Sequence, residues 1–251
     1  MEKNATNTHA LDVRIGMQAS QSINLNDWIF DHLNIDENEA VLELCCGTGA
    51  QTRYFSERIK TGSITCVDVN EETLLANKDN VCDPKISYHL SDLDELKNKL
   101  KCSFDLIFCA YGFYYSRQPK VLFESLITQL SPGGRLVLVG PVLGNNADLY
   151  KIVKNIGGQI SKEVIYSSEE FIVEFFKYFL EQFEMVKFER VINTIRFNNA
   201  KSLLEYWKNT TFYSQNKDSD FLKECSLVYG SAPVTINKSI GYLEGRLPIK
   251  R

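Results

Sequence analysis

A glycine turn followed by an acidic residue is the feature of the chain best suited to chemistry. Residues 43–49 read Glu-Leu-Cys-Cys-Gly-Thr-Gly, follow an apolar strand signal and open a helix, and the next strand signal ends at Asp68. Gly47 and Gly49 carry no Cβ, so a ligand is able to approach the backbone closely. The helix amides are free donors, and Asp68 is placed to accept hydrogen bonds from ribose hydroxyls. The pattern predicts a nucleoside-containing ligand at the carboxyl ends of parallel strands.

The turn does not match either common phosphate-binding pattern. A dinucleotide fingerprint needs a third glycine, where this chain has Thr52, and a P-loop needs a Gly-Lys-Ser/Thr run that is missing. Glu43 on the preceding strand would repel a pyrophosphate and favour a cationic ligand. S-adenosylmethionine (SAM) carries a sulfonium and an α-ammonium, and its ribose hydroxyls suit Asp68. The residues therefore favour SAM.

With these residues the chain resembles the class I SAM-dependent methyltransferases, from about Val41 to Pro141. Residues 91–93, Ser-Asp-Leu, follow the third strand signal, residues 104–110 look like the fourth strand, and residues 130–137 look like a turn and fifth strand. The resemblance implies an α/β, Rossmann-like seven-stranded sheet of order 3-2-1-4-5-7-6, with an antiparallel last strand, helices on both faces and a helical lid. The chain departs from the family at Cys45, where glycine is common, although related small-molecule and quinone-type enzymes tolerate cysteine there.

The resemblance also implies which residues hold the cofactor, with S-adenosylhomocysteine as the product. Asp68 would bind the ribose, and Asp92 would lie beside the adenine amino group. The predicted cofactor contacts are Glu43, Cys45, Gly47, Thr48, Gly49, Asp68, Val69, Asn70, Ser91, Asp92, Leu93, Cys109 and Ala110. We expect no metal, because the three histidines lie far apart in the sequence.

Each of these features also has an ordinary structural interpretation. Glycines are common in turns, and an acid after a strand is usually a helix N-cap. Asp92 alone would serve as the cap of a helix that begins near Asp94. The order and spacing of four such features favour the cofactor interpretation.

Strand and helix signals alternate through the first part of the chain, which is typical of a parallel sheet with right-handed crossovers. Pro132-Gly133-Gly134 is predicted to stop the helix before the fifth strand. The strands are predicted near 40–45, 63–68, 86–90, 104–110 and 134–140, and the helices near 22–34, 50–60, 71–79, 94–100 and 118–130.

After Pro141 the pattern changes to helices near 146–156, 167–182 and 200–212, a strand near 184–191 and a final strand near 234–242. Residues 167–170, Ser-Ser-Glu-Glu, predict a capping box for the second of these helices, and the final strand is predicted at the edge of the sheet. We expect an N-terminal lid segment at 1–36. The methyltransferase domain would span 37–251, with lid insertions at about 145–182 and 199–230.

An aromatic segment, Tyr111–Tyr115, follows the fourth strand and by analogy faces the methyl group. We expect Tyr111, Tyr114 and Tyr115 to orient the acceptor, and Gln18 to close over the site, although simple packing would explain each ring equally well. The segment lacks the Asn/Asp-Pro-Pro-aromatic run of nucleobase amine methyltransferases. Strand alternation predicts a buried His89.

The bulk properties favour a small acceptor. The 251 residues carry a net charge of −4, which argues against broad contact with nucleic acid. The sequence shows no secretory signal and no apolar run that approaches a membrane span. Seven cysteines without a C-x-x-C pair indicate a reducing, cytoplasmic location, and three of them, Cys45, Cys66 and Cys109, are predicted within strands.

The resulting hypothesis is a methyltransferase, monomeric or homodimeric, that methylates oxygen or nitrogen of a small molecule by in-line displacement in a lidded cleft. Two alternatives remain: a methyltransferase acting on a protein or RNA, and a non-catalytic SAM-binding interaction protein. A macromolecular substrate would call for a basic groove or an added recognition domain. A non-catalytic relative would be expected to lose the glycines or Asp68.

Overall fold

The computed structural model describes residues 20–98 and 103–249, together with Gly16. Seven strands form one sheet in the order β3-β2-β1-β4-β5-β7-β6, which confirms the predicted fold. The strands are β1 Ala40–Leu44, β2 Ser63–Asp68, β3 Ile86–Leu90, β4 Phe104–Ala110, β5 Leu130–Pro141, β6 Phe183–Phe197 and β7 Val234–Pro248.

Helices connect the strands in the alternation that the sequence predicts. They are α1 Leu25–Leu33, α2 Ala50–Arg58, α3 Glu71–Val81, α4 Pro119–Ile127, α5 Ala147–Asn155, α6 Lys162–Ile165, α7 Phe171–Gln182, α8 Ala200–Lys208 and α9 Asp218–Tyr229. Leu93–Asn98 and Phe113–Tyr115 are 3₁₀ turns, and Tyr166–Glu170 is a π-helical segment between α6 and α7. The α-helix expected near 94–100 is therefore a 3₁₀ helix, and residues 99 and 100 lie outside the described part.

Strand β1 lies at the point where the strand order reverses. It pairs in parallel with both β2 and β4, so that Leu44 lies beside Val67 on one side and beside Cys109 on the other. The loops that leave these three strands therefore emerge at the same edge of the sheet. In open α/β sheets, ligands bind in the crevice at such a switch point.

Burial on both faces explains why β1 is apolar almost throughout. Val41, Leu42 and Leu44 are at most 1% exposed, as expected for a parallel strand covered by helices. On one face the rings of Phe30 in α1 and Phe55 in α2 lie with their centroids 4.8 Å apart, in an edge-on arrangement. Helix α1 thus contributes to the core beneath the site.

The chain divides into two compact units. The sheet unit comprises Leu25–Gly140, Ile172–Arg190 and Gly241–Arg251, and the helical unit comprises Met1–Asn24, Pro141–Phe171 and Val191–Ile240. The helical unit has its own apolar core, in which the rings of Trp207 and Phe221 stack with centroids 4.5 Å apart. The predicted division into lid segments stays a prediction.

The prediction that the final strand lies at the edge of the sheet is wrong. Strand β7 lies between β5 and β6, and β6 is the outer strand. Bonds from Val142 N to Ser239 O and from Asn146 N to Asn237 O run in opposite chain directions, as in an antiparallel pair. The sixth strand predicted near 184–191 covers only the first half of β6, which continues to Phe197.

The capping box expected at residues 167–170 is also wrong. The helical run begins earlier, and Ser161 is its N-cap, because its hydroxyl accepts a hydrogen bond from the amide of Val164. Ser167 and Ser168 lie in the π-helical segment, where their hydroxyls donate back to carbonyls three residues earlier. Such bonding within a helix competes with capping for the same side chains.

The Pro132-Gly133-Gly134 turn lies inside β5 and does not stop α4, which already ends at Ile127. Phe104 pairs with Leu130, but Leu106 pairs with Arg135, so the turn is looped out between two paired positions. The φ of Gly133 is +85°, a left-handed conformation that favours glycine. The turn therefore bends a strand.

A buried ion pair joins β5 to the segment before β1. Nη1 of Arg135 lies 2.6 Å from Oε1 of Glu39, and Nη2 lies 3.0 Å from Oε2, in a bidentate arrangement. Nη2 also donates to the carbonyl of Leu33 at the end of α1. The pair therefore joins three elements of the sheet unit.

We expect Glu39→Gln to lower the free energy of unfolding by about 3–5 kcal/mol, because it leaves a buried guanidinium without its counter-charge. Replacing both partners with apolar residues, as in Glu39→Leu/Arg135→Met, should cost less than either single change. Urea unfolding measures both effects. As a control, Lys208→Met removes partly exposed ion pairs with Glu205 and Asp218 and should cost less than Glu39→Gln.

Candidate functional site

The glycine loop and Asp68 lie together at the switch point, as the sequence predicts. The amide of Gly47 donates to Oδ2 of Asp68 at 2.9 Å, and the amide of Asn70 donates to Oδ1 at 3.0 Å. The loop amide of Cys46 bonds the carbonyl of Val67 at 3.1 Å. The half-buried carboxylate thus fixes the loop after β1 against the end of β2.

The loop needs glycine at position 49 for a different reason from the one expected. Gly49 has a φ of +92°, and a Cβ there would lie 2.7 Å from Cγ of Asn77 in α3. A side chain at this position would meet α3 and not a ligand. Substituting Gly49 therefore tests how the loop packs against α3. The sequence instead predicts that the missing Cβ of Gly49 makes room for a ligand.

Glu43 lies behind the loop in a buried chain of polar groups. Its Oε2 accepts from Oγ1 of Thr52 at 2.7 Å, and Thr52 in turn accepts from Nδ2 of Asn77 at 2.9 Å. Burial raises the pKa of Glu43 from 4.5 to about 8. The carboxyl is therefore mostly protonated at neutral pH, and its predicted contact with a cationic cofactor stays a prediction.

The segment after β3 brings Ser91, Asp92 and Leu93 to the neighbouring position. The amide of Ser91 bonds the carbonyl of Asp68 at 2.9 Å, and Leu93 is buried. Oδ1 of Asp92 accepts from the amide of Asp94 at 2.9 Å, so Asp92 does cap a helical turn. A role towards adenine stays a prediction.

Asp94 connects this segment to the one that follows β4. It accepts from Nε of Arg117 at 2.8 Å, from the amide of Arg117 at 3.1 Å and from the hydroxyl of Ser116. Partial burial acts to raise the pKa of Asp94, but the bonds from Ser116 and Arg117 lower it below its usual value overall. The guanidinium also lies 3.5 Å from Asp92.

The aromatic segment after β4 packs closely against the glycine loop. A Cβ on Gly112 would overlap the side chain of Cys45 and lie 3.4 Å from Sγ of Cys109. Cys45 lies in the loop with a φ of 55°, not within β1, and Tyr111 has a φ of 58°. Two non-glycine residues in the left-handed region therefore lie in the two loops that leave β1 and β4.

Tyr114 and Tyr115, which are predicted to orient the acceptor, lie in the same segment. The rings of Tyr114 and Tyr115 lie edge-on with centroids 4.7 Å apart, and Tyr115 is 38% exposed. Ala110 is half-buried at the end of β4. Gln18 lies outside the described residues.

Three further residues predicted to contact the cofactor make ordinary structural contacts or lie at the surface. The carbonyl of Thr48 accepts from Nδ2 of Asn80 at 3.3 Å, Asn70 is the N-cap of α3, and Val69 is 46% exposed. His89 is exposed, which makes its expected burial wrong. Strand β3 is the outer strand at its side of the sheet, so alternation there does not imply a covered face.

Sequence reasoning missed Asn77 and the pair of Asp94 and Arg117. The only local signal for Asn77 was a polar residue on the buried side of α3. Nothing in the spacing of Asp94 and Arg117 indicates their pairing, which depends on how two separate loops meet.

Among the described residues, no group of three or more His, Cys, Asp and Glu side chains is arranged to hold a metal ion. No helix in the described part of the chain is both long and apolar enough to cross a bilayer.

The raised pKa of Glu43 predicts a specific pH dependence of stability. The folded state binds a proton more tightly than the unfolded state, so stability from this group is present below pH 4.5 and is lost as pH rises to about 8. We expect the stability advantage of the native protein over Glu43→Gln to shrink by several kcal/mol between about pH 5 and about pH 8, since one pKa unit corresponds to about 1.4 kcal/mol.

Denaturant unfolding at a series of pH values measures this difference. Glu57→Gln is the matched control, because Glu57 is exposed on α2 and its replacement should leave the pH profile unchanged. A constant difference between native and Glu43→Gln stability across the range would contradict the buried, protonated carboxyl.

Comparison with known proteins agrees with this geometry. A family model described as a methyltransferase domain matches residues 41–134. Malonyl-[acyl-carrier protein] O-methyltransferase 2 of Coxiella burnetii is 28% identical over 47% of this chain and 48% of its own. The ubiquinone/menaquinone biosynthesis C-methyltransferase UbiE of Pseudomonas aeruginosa is 30% identical over 39% of this chain and 40% of its own. The chain thus spans less than half the length of these relatives.

A solved structure supports the fold over nearly the whole chain. Phosphoethanolamine N-methyltransferase 2 of Haemonchus contortus, in complex with phosphomonomethylethanolamine and S-adenosylhomocysteine, matches 98% of this chain and 58% of its own, with a TM-score of 0.60 and 18% identity. At that identity the likeness concerns the fold. The matched domain and the strand order both agree with the resemblance to class I SAM-dependent methyltransferases, which the family model supports over residues 41–134.

Proposed function

We propose that the chain transfers a methyl group from SAM to a small organic acceptor by in-line displacement. The observation that carries the proposal is the Asp68 carboxylate, held against the glycine loop at the switch point of the sheet. S-adenosylhomocysteine would be the product. A cytoplasmic location is part of the same proposal and fits the free thiols of the chain.

The residues around the loop fit a nucleoside cofactor. Each oxygen of Asp68 accepts one backbone N–H, and a carboxylate has about four lone-pair sites. The hydroxyl of Thr73 lies 3.4 Å from Oδ1 but donates over a shorter 2.9 Å to the carbonyl of Asn70, so acceptor capacity remains for ribose hydroxyls. The neighbouring Asp92 is 36% exposed at its side chain, so its carboxylate is accessible to a ligand.

SAM supplies an electrophilic methyl group, so the protein needs mainly to bind, align and exclude water. Asp68 would fix the nucleoside at the ends of β2 and β3. The reacting end would then lie between the glycine loop and the segment after β4. Tyr111, Tyr114 and Tyr115 would orient the acceptor there.

The backbone at the switch point supports this assignment independently. Cys45 and Tyr111 both hold left-handed conformations without being glycine. Such conformations cost about 1–3 kcal/mol each and cluster at functional sites. Their positions, on the two loops that flank the crevice, support a functional role for it.

The acceptor class rests on charge and on the aromatic segment. A net charge of −4 disfavours a polyanionic substrate, and the tyrosine rings suit an organic molecule. The relatives include an O-methyltransferase and a C-methyltransferase, so they do not select the acceptor atom. A methyltransferase acting on a protein or RNA is the alternative, and transfer of labelled methyl groups distinguishes the two.

We expect Asp68→Asn to weaken SAM binding by about tenfold or more. Leaving a buried hydroxyl contact unsatisfied costs about 1–3 kcal/mol, and about 1.4 kcal/mol corresponds to a factor of ten. Isothermal calorimetry with SAM measures the change. Asp79→Asn, an exposed acid on α3, should bind SAM normally, and equal affinity in the two variants would overturn the assignment.

We expect the tyrosine segment to affect methyl transfer more than cofactor binding. Label from methyl-tritiated SAM should pass to small phenols, amines or carboxylic acids and not to bulk tRNA or protein. With an acceptor in hand, Tyr114→Ala should lower kcat about tenfold or more while SAM affinity stays within about twofold, because the ring aligns the acceptor only.

Val121→Ala, which trims an exposed side chain on α4, is the control and should change neither quantity. Transfer of label only to tRNA or protein would replace the small acceptor with a macromolecule. A Tyr114→Ala variant with normal turnover would remove the segment from the acceptor site.

A further inference from the structure

The outer edge of β6 is open over residues 184–190. Strand β6 ends the sheet, and among residues 20–98 and 103–249 the isolated bridge outside the named strands is between Gln21 and Ile195. Ser22 also bonds Thr194 there at 2.8 Å. The chain thus covers its own edge near residues 194–195 and leaves the earlier part of the strand available. An open edge is a template for pairing with another strand.

The open edge is flanked by apolar side chains. On β6, Phe188 is 39% exposed, and on α7, Val173 is 48% and Leu180 is 55% exposed. The ring of Phe176 on α7 lies 5.7 Å from that of Phe188 and connects the two elements. We call these four residues the edge patch.

Helix α7 has a second apolar stripe that its own fold does not need. Ile172, Phe175 and Phe179 are at most 2% exposed and pack into the sheet unit. Val173 and Leu180, seven residues apart, lie on another side of the same helix. The second stripe therefore has the spacing of a helix face that meets a partner.

We propose that a second copy of this chain pairs with residues 184–190 and covers the edge patch. The sequence of the strand is complementary to itself when two copies run antiparallel about Phe188. In that register Phe188 lies opposite Phe188, and Lys187 of each copy lies opposite Glu189 of the other. Directly opposed side chains in antiparallel strands lie about 4.5–5.5 Å apart, close enough for an ion pair.

Neighbouring registers are less favourable, because each places like charges together. Centring the pair on residue 187 opposes two lysines, and centring it on 189 opposes two glutamates. Like charges directly opposite each other are destabilising. Of these three registers, the charge pattern favours the one centred on Phe188, as expected of an isologous twofold interface.

The same arrangement brings the two α7 helices together. A twofold axis through Phe188, perpendicular to the sheet, keeps both copies of α7 on the same face. Phe176 and Phe188 from each copy would then surround the axis, and Val173 and Leu180 would lose their exposure. Strand pairing and helix packing therefore bury the edge patch in one step. The proposal does not depend on the methyl-transfer activity.

Sedimentation velocity of the full chain over about 1–100 µM tests the interface. We expect a dimer with twice the monomer mass. Lys187→Glu alone and Glu189→Lys alone should each weaken association about tenfold or more, since each creates two like-charged contacts. The double exchange Lys187→Glu/Glu189→Lys should restore association, because both ion pairs return with reversed sign.

Phe188→Glu should give a monomer, whereas Leu227→Glu, which changes an 82% exposed residue on α9, should leave the dimer intact. Circular dichroism confirms that each variant is folded. A native protein that stays monomeric over the whole range overturns the proposal. A dimer that is indifferent to both single charge changes also overturns it, because another surface then holds the copies together.

Discussion

Asp68 makes the contacts on which the rest of the site depends. Its two carboxylate oxygens hold the amides of Gly47 and Asn70, so the loop after β1 and the start of α3 are fixed by one side chain at the end of β2. Parallel pairing of β1 with β2 and β4 brings all three loops to the same edge. The carboxylate keeps acceptor capacity on the side that a ligand would approach.

Further hydrogen bonds beneath and beside the glycine loop stabilise the site. The buried chain through Glu43, Thr52 and Asn77 fills the space beneath the loop with satisfied polar groups, which the interior requires. Asp94 joins the segment after β3 to the segment after β4. The part expected to hold the nucleoside and the part expected to hold the acceptor are therefore mechanically connected.

The outer edge of the sheet, at β6, differs from the inner strands in its exposure. Strand β6 alternates less clearly than the inner strands because one side of it has no neighbouring strand over residues 184–190 in the described structure. Apolar side chains remain exposed there and continue onto α7. An exposed apolar surface of this kind is unfavourable in water, and association would remove it from contact with water.

The sequence by itself determined the parallel core and the meeting of the glycine loop with Asp68, because these follow from local periodicity and from residues that end strands. The strand order was implied by the resemblance to the methyltransferases. Tertiary structure decided the rest. Gly49 is required by Asn77, and Asp94 pairs with Arg117. Each of these depends on segments distant in sequence, and local pattern carries no information about which distant groups meet. The protonation of Glu43 likewise follows from burial, which only the folded chain creates.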